Sequence, residues 1–322
     1  MITKNFALIG ASGYIAPRHM KAIKDTGNNL VAALDPYDGI GIMDSHFPQA
    51  SFFTEFERFD RFVDKWHRDG NKKIDYVSIA TPNYLHDSHI RFALRNKAHA
   101  ICEKPLVLNP HNIDQLKIIE SESGQKIYTI LQLRLHDSII ALKEKISSEL
   151  AEDPNKIYEI DLTYLTSRGK WYFVSWKGDE AKSGGIASNI GVHFFDMLSW
   201  IFGELQENIV HIKQPDTNAG YMRLKNANVR WFLSVNYDYI PKDIKATGKT
   251  TFRSITVDGE EFEFSEGFTD LHTKSYADIL NGGGFGLEEA RSSINIVSDI
   301  RKMQTMALDE KAHLFCELVV SL

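Results

Sequence analysis

Cysteine is scarce in this chain of 322 residues, which contains only Cys102 and Cys316. Two cysteines so far apart in sequence argue against the disulfide framework on which small secreted domains depend. No segment approaches the roughly 20 apolar residues of a membrane span, and the N-terminus lacks the charged flank and long apolar run of a signal peptide. We therefore expect a cytoplasmic protein with no membrane partner.

Positive charge is also in short supply, because 37 Lys and Arg residues face 43 Asp and Glu residues, giving a net charge of -6. Nucleic-acid binding needs a basic surface that neutralises phosphates, so we expect no nucleic-acid partner. Metal-ligand patterns are missing too. His86 and His89, or His111 and His136, have no carboxylate or cysteine partner at ligand spacing, and we expect no metal site.

The length and the order of the predicted elements indicate an α/β protein with two domains. In the first 130 residues, short β-rich runs alternate with amphipathic helical stretches, which predicts βαβ crossovers and a parallel sheet. After residue 135, long strands with few helices predict an α+β domain with a large open, mostly antiparallel sheet. We place the domains at residues 1–132 and 133–322, and the last helix can return to the first domain.

The predicted strands are Asn5–Ile9, Leu30–Leu34, Asp75–Ala80, Ala98–Cys102, Lys126–Leu131, Lys156–Ser167, Asn208–Lys213, Gly220–Leu224, Val229–Tyr237, Thr251–Val257 and Glu261–Phe264. The predicted helices are Ile15–Asp25, Glu57–Arg68, Leu85–Arg95, His111–Glu122, Ser138–Leu150, Ile190–Phe202, Asp270–Leu280 and Leu287–Thr305.

A glycine-containing turn follows the first predicted strand. Gly10 and Gly13 can form the tight turn that lets backbone N–H groups approach a pyrophosphate, while Ser12 and Ile15 occupy the other glycine positions of the usual dinucleotide pattern. An ordinary strand–turn–helix is equally compatible with this degraded pattern. Asp35, which ends the next strand, favours the dinucleotide interpretation, because a carboxylate there would accept the ribose hydroxyls of NAD and repel the 2′-phosphate of NADP. The alternative is a simple turn residue before Pro36.

Two further strand ends carry candidate residues. The segment Ala80–His86 follows the third predicted strand, and it either lines the cofactor or forms a turn with Asn83 as a helix N-cap. Lys104 leaves the buried strand Ala98–Cys102 after Glu103 and before Pro105. Ligands bind at the carboxyl ends of parallel strands, and lysine is rarely placed there for packing, so we expect Lys104 to contact the substrate.

A chemistry-bearing stretch lies in the second half of the chain. Asn189 and His193 are four residues apart and share one face of a predicted helix, and Asp196 could orient His193. A histidine among aromatic residues is often a core residue, but paired with Lys104 it suits alcohol oxidation. A neutral imidazole takes the hydroxyl proton while the lysine holds the oxygen.

A cluster of cations and aromatic rings spans residues 166–177. Arg168 and Lys177, interleaved with Trp171, Tyr172 and Trp176, suit an anionic ring-shaped ligand, because arginine binds carboxylate or phosphate in a bidentate manner. The alternative is a solvated strand end whose cations lie over aromatic surface.

The motifs resemble those of the glucose–fructose oxidoreductase/inositol dehydrogenase (Gfo/Idh/MocA) family, over nearly the whole chain. The resemblance rests on Glu103-Lys104-Pro105 and on the pattern Gly-Gly-x-x-x-Asn-x-Gly-x-His-x-x-Asp at residues 184–196. Within the family, four stretches resemble the UDP-N-acetyl-2-amino-2-deoxyglucuronate 3-dehydrogenases of bacterial lipopolysaccharide O-antigen synthesis: Gly10–His19, Leu131–Arg134, Leu162–Trp171 and Glu266–His272.

The resemblance implies a Rossmann domain, NAD as oxidant, and oxidation of the 3-hydroxyl of a UDP-linked N-acetylglucosaminuronate. It implies Lys104 and His193 as the catalytic pair, and, for some relatives, 2-oxoglutarate as the oxidant that recycles NADH. Asn189 replaces the Asp that the family usually has, which leaves His193 as the base. The expected cofactor contacts are Gly10, Ser12, Gly13, Tyr14, Ile15, Asp35, Thr81, Asn83, His86, Glu103, Lys104 and Gln132. The expected substrate contacts are Lys104, Arg168, Tyr172, Lys177, Asn189 and His193.

Two other functions stay open: a different sugar or cyclitol dehydrogenase of the same family, and a dinucleotide-sensing regulator that binds sugar without catalysis. Retention of both Lys104 and His193 argues against the regulator. We also expect a homotetramer, because the second sheet is predicted to have helices on one face only, and an apolar open face seldom stays wet.

Overall fold

The computed structural model describes residues 2–69, 73–262 and 270–320. The chain divides into two compact units. The first comprises Met1–Leu135 and Gly267–Arg291, and the second comprises His136–Glu266 and Ser292–Leu322.

The strands are β1 Asn5–Ile9, β2 Asn29–Leu34, β3 Ser51–Phe53, β4 Tyr76–Ile79, β5 His99–Cys102, β6 Ile127–Thr129, β7 Tyr158–Thr166, β8 Leu205–Lys213, β9 Thr217–Leu224, β10 Ala227–Ser234, β11 Thr251–Val257 and β12 Glu260–Glu261. The α-helices are α1 Ala16–Asp25, α2 Ile40–His46, α3 Phe56–Arg68, α4 His86–Arg95, α5 Pro110–Ser123, α6 Asp137–Glu152, α7 Trp171–Val174, α8 Glu180–Ser183, α9 Val192–Phe202, α10 Lys242–Ala246, α11 Leu271–Leu280, α12 Leu287–Lys302 and α13 Cys316–Val320.

The first unit is built on a six-stranded parallel sheet in the order β3-β2-β1-β4-β5-β6. This is the strand order of a dinucleotide-binding Rossmann fold, and it confirms the predicted fold class. The central strands β1 and β4 are almost wholly buried, as expected when helices cover both faces. Helix α11 returns from late in the chain and packs on α1, so that Tyr276 joins the core around Phe6.

The second unit is built on a six-stranded sheet in the order β12-β11-β7-β10-β9-β8. The prediction of a mostly antiparallel sheet is confirmed, and the exception is the central pair β7 and β10, which run parallel. One face packs on α9, through ring contacts of Tyr164 with Phe194 and of Trp231 with Phe195.

The opposite face of this sheet differs from the apolar open face that was predicted. Part of it carries polar groups: Arg230 donates to Asp161 at 2.6 and 3.1 Å and pairs with Glu159 at 3.3 Å. Two residues further along β10, on the same face, Phe232 is fully buried and contacts the rings of His313 and Phe315. The chain after α12 therefore covers the apolar part of this face itself.

Several elements escaped prediction because they are short. Strand β3 has three residues, and helices α7, α8, α10 and α13 have four or five, too few for a periodic pattern. The predicted helix Ile190–Phe202 is α-helical only from Val192 and is preceded by a π-helical turn, Ala187–Gly191. Part of the predicted strand Glu261–Phe264 and most of the motif Glu266–His272 lie outside the described residues. Among the described helices, none has the length and apolar character needed to cross a membrane.

Candidate functional site

The turn after β1 has the close backbone contact that a dinucleotide site requires. Gly10 has φ +91°, and a Cβ placed there would lie 2.6 Å from the carbonyl carbon and oxygen of Ala80. The N–H of Gly10 donates to the carbonyl of Leu34 at 2.8 Å. Only glycine satisfies both the positive φ and the contact with the end of β4, so the turn lies flat against the carboxyl ends of β1, β2 and β4.

Asp35 holds this turn and the loop that follows β2. Its Oδ2 accepts the N–H of Ser12 at 2.9 Å, and its Oδ1 accepts the N–H of Tyr37 at 2.9 Å. The hydroxyl of Ser12 donates to the carbonyl of Tyr37 at 2.8 Å. The turn role that we considered for Asp35 is therefore present. Each carboxylate oxygen keeps a second lone-pair direction, so a ribose role is compatible with it.

Contacts within the protein use some of the main-chain N–H donors of the glycine turn and leave others for a ligand. The N–H of Ser12 is used by Asp35, and that of Gly13 donates to the carbonyl of Gly10 at 3.2 Å. In the part of the chain that the structure describes, the N–H groups of Tyr14 and Ile15 donate to no other group. They precede the first turn of α1, where unsatisfied donors and the helix dipole favour an anion.

The segment after β4 is fixed mainly by histidines. His86 is fully buried, and its Nδ1 and Nε2 lie 2.7 and 2.9 Å from the carbonyl oxygens of Pro105 and Thr81. The hydroxyl of Thr81 lies 3.1 Å from Nδ1 of His89. Asn83 is buried at the start of a 3₁₀ turn, and Leu85 occupies the N-cap position of α4, so the predicted N-cap role of Asn83 is wrong.

Glu103 and Lys104 follow β5 directly. Glu103 is buried and Lys104 is half-buried. The carboxylate of Glu103 accepts hydrogen bonds from Nε2 of His272 at 2.8 Å and Nε2 of His19 at 3.1 Å, both at Oε1. Sequence reasoning did not single out either histidine, although they end two of the motifs quoted above, Gly10–His19 and Glu266–His272.

These three side chains are also the one group among the described residues whose ligand atoms lie close enough to hold a metal ion. The two N···O distances are ordinary hydrogen-bond lengths, and both end on a single oxygen. Hydrogen bonding therefore accounts for the arrangement without an ion.

In the second unit, the structure brings Tyr172 and Asn189 together. Tyr172 is 1% exposed, and its hydroxyl accepts a hydrogen bond from Nδ2 of Asn189 at 3.0 Å. Burial raises the pKa of Tyr172. Asn189 lies in the π-helical turn, a feature often found at functional sites, and half-buried His193 follows in the first turn of α9.

The cations of the cluster at residues 166–177 differ in exposure. The side chain of Arg168 is exposed, and its main-chain N–H donates to the carbonyl of Val235 at 3.0 Å. The ammonium of Lys177 lies 4.9 Å from the ring centre of Trp176 and 5.7 Å from that of Trp171. Burial, with a smaller contribution from the charge of Arg168, lowers the pKa of Lys177. Both alternatives for this cluster stay compatible with the geometry, because the cation–ring contacts leave Arg168 exposed to a ligand.

Within each unit, the structure thus groups the predicted residues at strand ends and around one helix start. In the first unit, Gln132 is half-buried in a 3₁₀ turn just after β6. The side chains of His86 and Glu103 are buried and hydrogen-bonded within the protein, whereas the side chain of Tyr14 is 88% exposed to solvent.

Comparison with known proteins places both halves of the chain in one family. Residues 4–130 match the family model described as "Oxidoreductase family, NAD-binding Rossmann fold", and residues 155–247 match its C-terminal alpha/beta domain. Among curated proteins, the inositol 2-dehydrogenase of Rhizobium meliloti is 28% identical over 206 residues, which are 63% of this chain and 56% of that protein. The 2,7-anhydro-N-acetylneuraminate hydratase of Escherichia coli is 29% identical over 147 residues, which are 44% of this chain. The chain spans 37% of the length of that hydratase, so these curated relatives are matched over only about a third to a half of their length.

Solved structures match over nearly the full chain. The WlbA (WbpB) dehydrogenase from Thermus thermophilus, in complex with NAD and alpha-ketoglutarate, is 51% identical with a TM-score of 0.93, covering 97% of this chain and 100% of that chain. A second structure of the Thermus enzyme, in complex with NAD and UDP-GlcNAcA, is 50% identical with a TM-score of 0.92 at the same coverage. The WlbA dehydrogenase from Bordetella pertussis is 19% identical with a TM-score of 0.73, a likeness of fold. With both family domains matched and half of its residues identical to a member of known structure, the chain belongs to the Gfo/Idh/MocA oxidoreductase family and carries its NAD-binding Rossmann fold.

Proposed function

We propose that this protein is an NAD-dependent dehydrogenase. It oxidises the 3-hydroxyl of UDP-N-acetylglucosaminuronate to the 3-keto sugar, as a step in bacterial lipopolysaccharide O-antigen sugar synthesis. The observation that carries the proposal is the 50% identity, over 97% of the chain, to a Thermus dehydrogenase whose structure contains NAD and UDP-GlcNAcA. The motif resemblance supports the position of oxidation.

The first unit fits NAD. Gly10 lets the turn lie against β4, Tyr14 and Ile15 supply backbone donors for the pyrophosphate, and Asp35 accepts from the ribose hydroxyls. NAD supplies the hydride acceptor when it is bound. Ser12 holds the turn rather than the phosphate, because its two donors are used within the protein. Thr81, Asn83 and Gln132 complete the cofactor contacts of the proposal.

The chemistry of the chain concerns the proton and the oxygen of the substrate hydroxyl. His193 takes the hydroxyl proton, since a neutral imidazole is a base near neutral pH. Lys104 donates to the same oxygen and stabilises the negative charge that develops on it. Asn189 cannot accept a proton as a carboxylate would, so it orients the sugar together with Tyr172.

The second unit fits an anionic nucleotide sugar. Arg168 is exposed for a bidentate contact with the uronate carboxylate or the diphosphate. Lys177 lies near the aromatic rings of Trp171 and Trp176, which offer flat surfaces to a base or a sugar. These groups distinguish a UDP-sugar from a neutral cyclitol, which would need no cations.

Two finer features belong to the same proposal. Because a structure of the Thermus enzyme is a complex with both NAD and alpha-ketoglutarate, 2-oxoglutarate is the proposed oxidant that regenerates NAD between turnovers. The protein works in the cytoplasm as a homotetramer.

The test is NADH formation, followed by absorbance, with UDP-N-acetylglucosaminuronate, UDP-N-acetylglucosamine, myo-inositol and free glucose as candidate substrates. The proposal predicts turnover with the uronate and at least roughly tenfold less with the neutral nucleotide sugar, because the carboxylate contact is lost. Lys104→Ala and His193→Ala should each lower turnover by about a hundredfold or more. The control substitutions Lys126→Ala and His111→Ala, at exposed residues, should leave turnover unchanged.

The 28% identical inositol dehydrogenase favours one alternative, a cyclitol dehydrogenase. Turnover with myo-inositol in place of the uronate would select it. NAD binding without turnover of any candidate would select the sensing regulator.

A further inference from the structure

Three buried side chains of the first unit, His19 in α1, Glu103 after β5 and His272 in α11, form a cluster that the proposed chemistry leaves unused. They are 0%, 7% and 3% exposed. We call them the His19–Glu103–His272 cluster. A buried carboxylate needs compensation by hydrogen bonds or charge, so its partners carry information about its role.

The hydrogen bonds of the cluster have one consistent direction. An ionised carboxylate only accepts, so both histidines carry their proton on Nε2 and donate to Glu103. Nδ1 of a neutral His19 is then an acceptor, and it receives the hydroxyl proton of Tyr276 at 2.7 Å. The Tyr276 oxygen in turn accepts from the hydroxyl of Ser78 at 2.6 Å. A chain of donors therefore runs from β4 and α11 toward a single carboxylate oxygen.

The charge states agree with this direction. Burial alone would raise the pKa of Glu103, but the hydrogen bonds from His19 and His272 outweigh it and hold the pKa well below its usual value. Burial lowers the pKa of His19 despite the nearby carboxylate, which favours the neutral ring. At neutral pH, Glu103 is therefore ionised and the His19 ring is neutral.

The second carboxylate oxygen connects this charge to the candidate catalytic lysine. Oε2 of Glu103 accepts the main-chain N–H of Lys104 at 3.2 Å. On the other side of Lys104, the carbonyl of Pro105 is held by buried His86 at 2.7 Å. The backbone of Lys104 is therefore held from both sides by buried polar side chains.

We propose that the His19–Glu103–His272 cluster positions Lys104, with the two histidines fixing the Glu103 carboxylate so that its Oε2 holds the Lys104 main-chain N–H. The three are positioning residues, and the inference rests on the proposed function for the role of Lys104 itself. An error of about 1 Å in the placement of a catalytic group can cost about a hundredfold in rate, so a fixed backbone has a direct consequence for turnover.

Matched substitutions separate positioning from simple stability. His272→Gln keeps an N–H donor near the Nε2 position, whereas His272→Leu removes it. Glu103→Gln keeps the volume of the side chain, but an amide has only one acceptor oxygen. Either the two histidine N–H groups or the Lys104 N–H would then face the amide NH2, which is itself a donor. His313→Leu, which removes a buried histidine from the second unit, controls for the loss of stability alone.

The experiment is hydrogen exchange of the Lys104 amide in the full chain with NAD bound, together with turnover. Residue 105 is proline and has no N–H, which helps to resolve the Lys104 amide in fragments. The Lys104 amide should exchange at least about tenfold faster in His272→Leu and Glu103→Gln than in the wild type, and at nearly the wild-type rate in His272→Gln and His313→Leu. Exchange at β1, in the same unit, should not change.

Turnover provides the second readout. His272→Leu should lower kcat by about tenfold or more with little change in KM, and the same change in a Lys104→Ala background should cost almost nothing further, since the cluster acts through Lys104. Wild-type exchange at Lys104 in folded His272→Leu and Glu103→Gln would overturn the inference. One equivalent of bound metal that is lost in His272→Leu would overturn it too, by making the three side chains ligands. If wild-type protein oxidises no candidate sugar, the proposed function fails while the exchange data still decide the positioning role.

Discussion

Asp35 shows how one side chain serves both the fold and the candidate cofactor site. Its carboxylate ties the glycine turn at Ser12 to the loop at Tyr37, and both contacts are 2.9 Å long. The side chain is 6% exposed, so only a small part of its surface can contact a further partner. A preference for NAD is expected to follow from the same carboxylate, because a 2′-phosphate beside it would be repelled.

Substitution of Asp35 should change both the anchoring of the glycine turn and the preference for NAD over NADP. In the wild type, NAD should bind at least about tenfold more tightly than NADP, a difference of about 1.4 kcal/mol. Asp35→Ser should narrow this gap and also weaken NAD binding, because the Ser12 and Tyr37 N–H groups lose their acceptor. Fluorescence titration with both cofactors measures the two effects, with the exposed neighbour Asp38→Ser as the charge-matched control. Equal affinities in the wild type would rule out the ribose role.

In the proposed function, Arg168 is the residue on which recognition of an anionic sugar is expected to depend most. Arg168 is exposed. Burial raises the pKa of Tyr172, and the hydrogen bond from Asn189 and the charge of Arg168 oppose that rise in part. A bidentate contact contributes about 1.5–3 kcal/mol, so Arg168→Ala should weaken substrate binding about ten- to a hundredfold and spare NAD. Calorimetric titration of the nucleotide sugar measures this loss. Lys182→Ala, which removes an exposed cation paired with Asp179, is the matched control, and equal losses in both variants would leave Arg168 without a specific role.

At the residue scale, the sequence was most informative where one residue type is required. Gly10 was expected from its position after β1, and the structure supplies the reason in the 2.6 Å approach to Ala80. The roles of His19 and His272 could not be predicted, because they depend on α1 and α11 meeting Glu103 from opposite ends of the chain. Sequence spacing contains no information about such contacts without a template for the fold.

At the element scale, the helices and strands that were predicted correctly are the longer ones, whose apolar residues recur with a regular period. β1 and β11 have the predicted bounds, and most longer elements agree within a few residues. The wide turn at Ala187–Gly191 was not predicted, and its last two residues were assigned to the helix Ile190–Phe202, because one extra residue in a turn leaves no mark on an apolar pattern. Gly191 fits there because a Cβ would lie 2.5 Å from the side chain of Leu233.

The segment between α12 and α13 makes a testable contribution to stability through His313. Its Nε2 lies 3.0 Å from the hydroxyl of Thr163 in β7, and its Nδ1 accepts the N–H of Phe315 at 3.1 Å. Burial lowers its pKa to about 4. A lowered histidine pKa favours the neutral ring in the folded state. Its stabilising contribution is therefore complete above the unfolded value near 6.5 and is lost as the pH falls below it.

For this one group, the expected loss in free energy of unfolding between pH 7.5 and pH 5 is about 2 kcal/mol. His313→Asn, which keeps an acceptor for Phe315 and cannot titrate, should be less stable than the wild type at pH 7.5 and should lose most of that deficit at pH 5. Denaturant unfolding at the two pH values measures the change, and the exposed His111→Asn serves as control. A deficit that does not depend on pH would contradict the assignment.

At the scale of the whole molecule, the sequence predicted two kinds of sheet but not all of their pairing. The shift from alternating to consecutive strands near residue 135 indicated the change of architecture. The parallel pairing of β7 with β10 was not visible, because it joins strands separated by the three helices α7, α8 and α9 and by the β8–β9 hairpin. The prediction of an apolar open face was also wrong, since Arg230 and its carboxylate partners Asp161 and Glu159 occupy part of that face.

A different surface is therefore the candidate contact between subunits. Leu314 and Leu318 are 77% and 43% exposed on the segment that covers the sheet of the second unit. Exposed apolar groups near one another often mark contacts between subunits. Light scattering at micromolar concentration should give four times the mass of one chain, and Leu314→Lys should lower it. Ile118→Lys, at an exposed site in α5 of the first unit, should leave the mass unchanged, and a monomeric wild type would contradict the tetramer.

The fate of the hydrogen at C3 of the sugar tests the proposed reaction most directly. UDP-N-acetylglucosaminuronate carrying deuterium at C3 would be incubated with the protein and NAD, and the reduced cofactor would be analysed by mass spectrometry. Oxidation at the 3-hydroxyl predicts one deuterium per NADH formed, and neither Lys104→Ala nor His193→Ala should form it at more than about a hundredth of the wild-type rate. NADH that forms without deuterium, or no NADH at all while the sugar binds, would contradict the account.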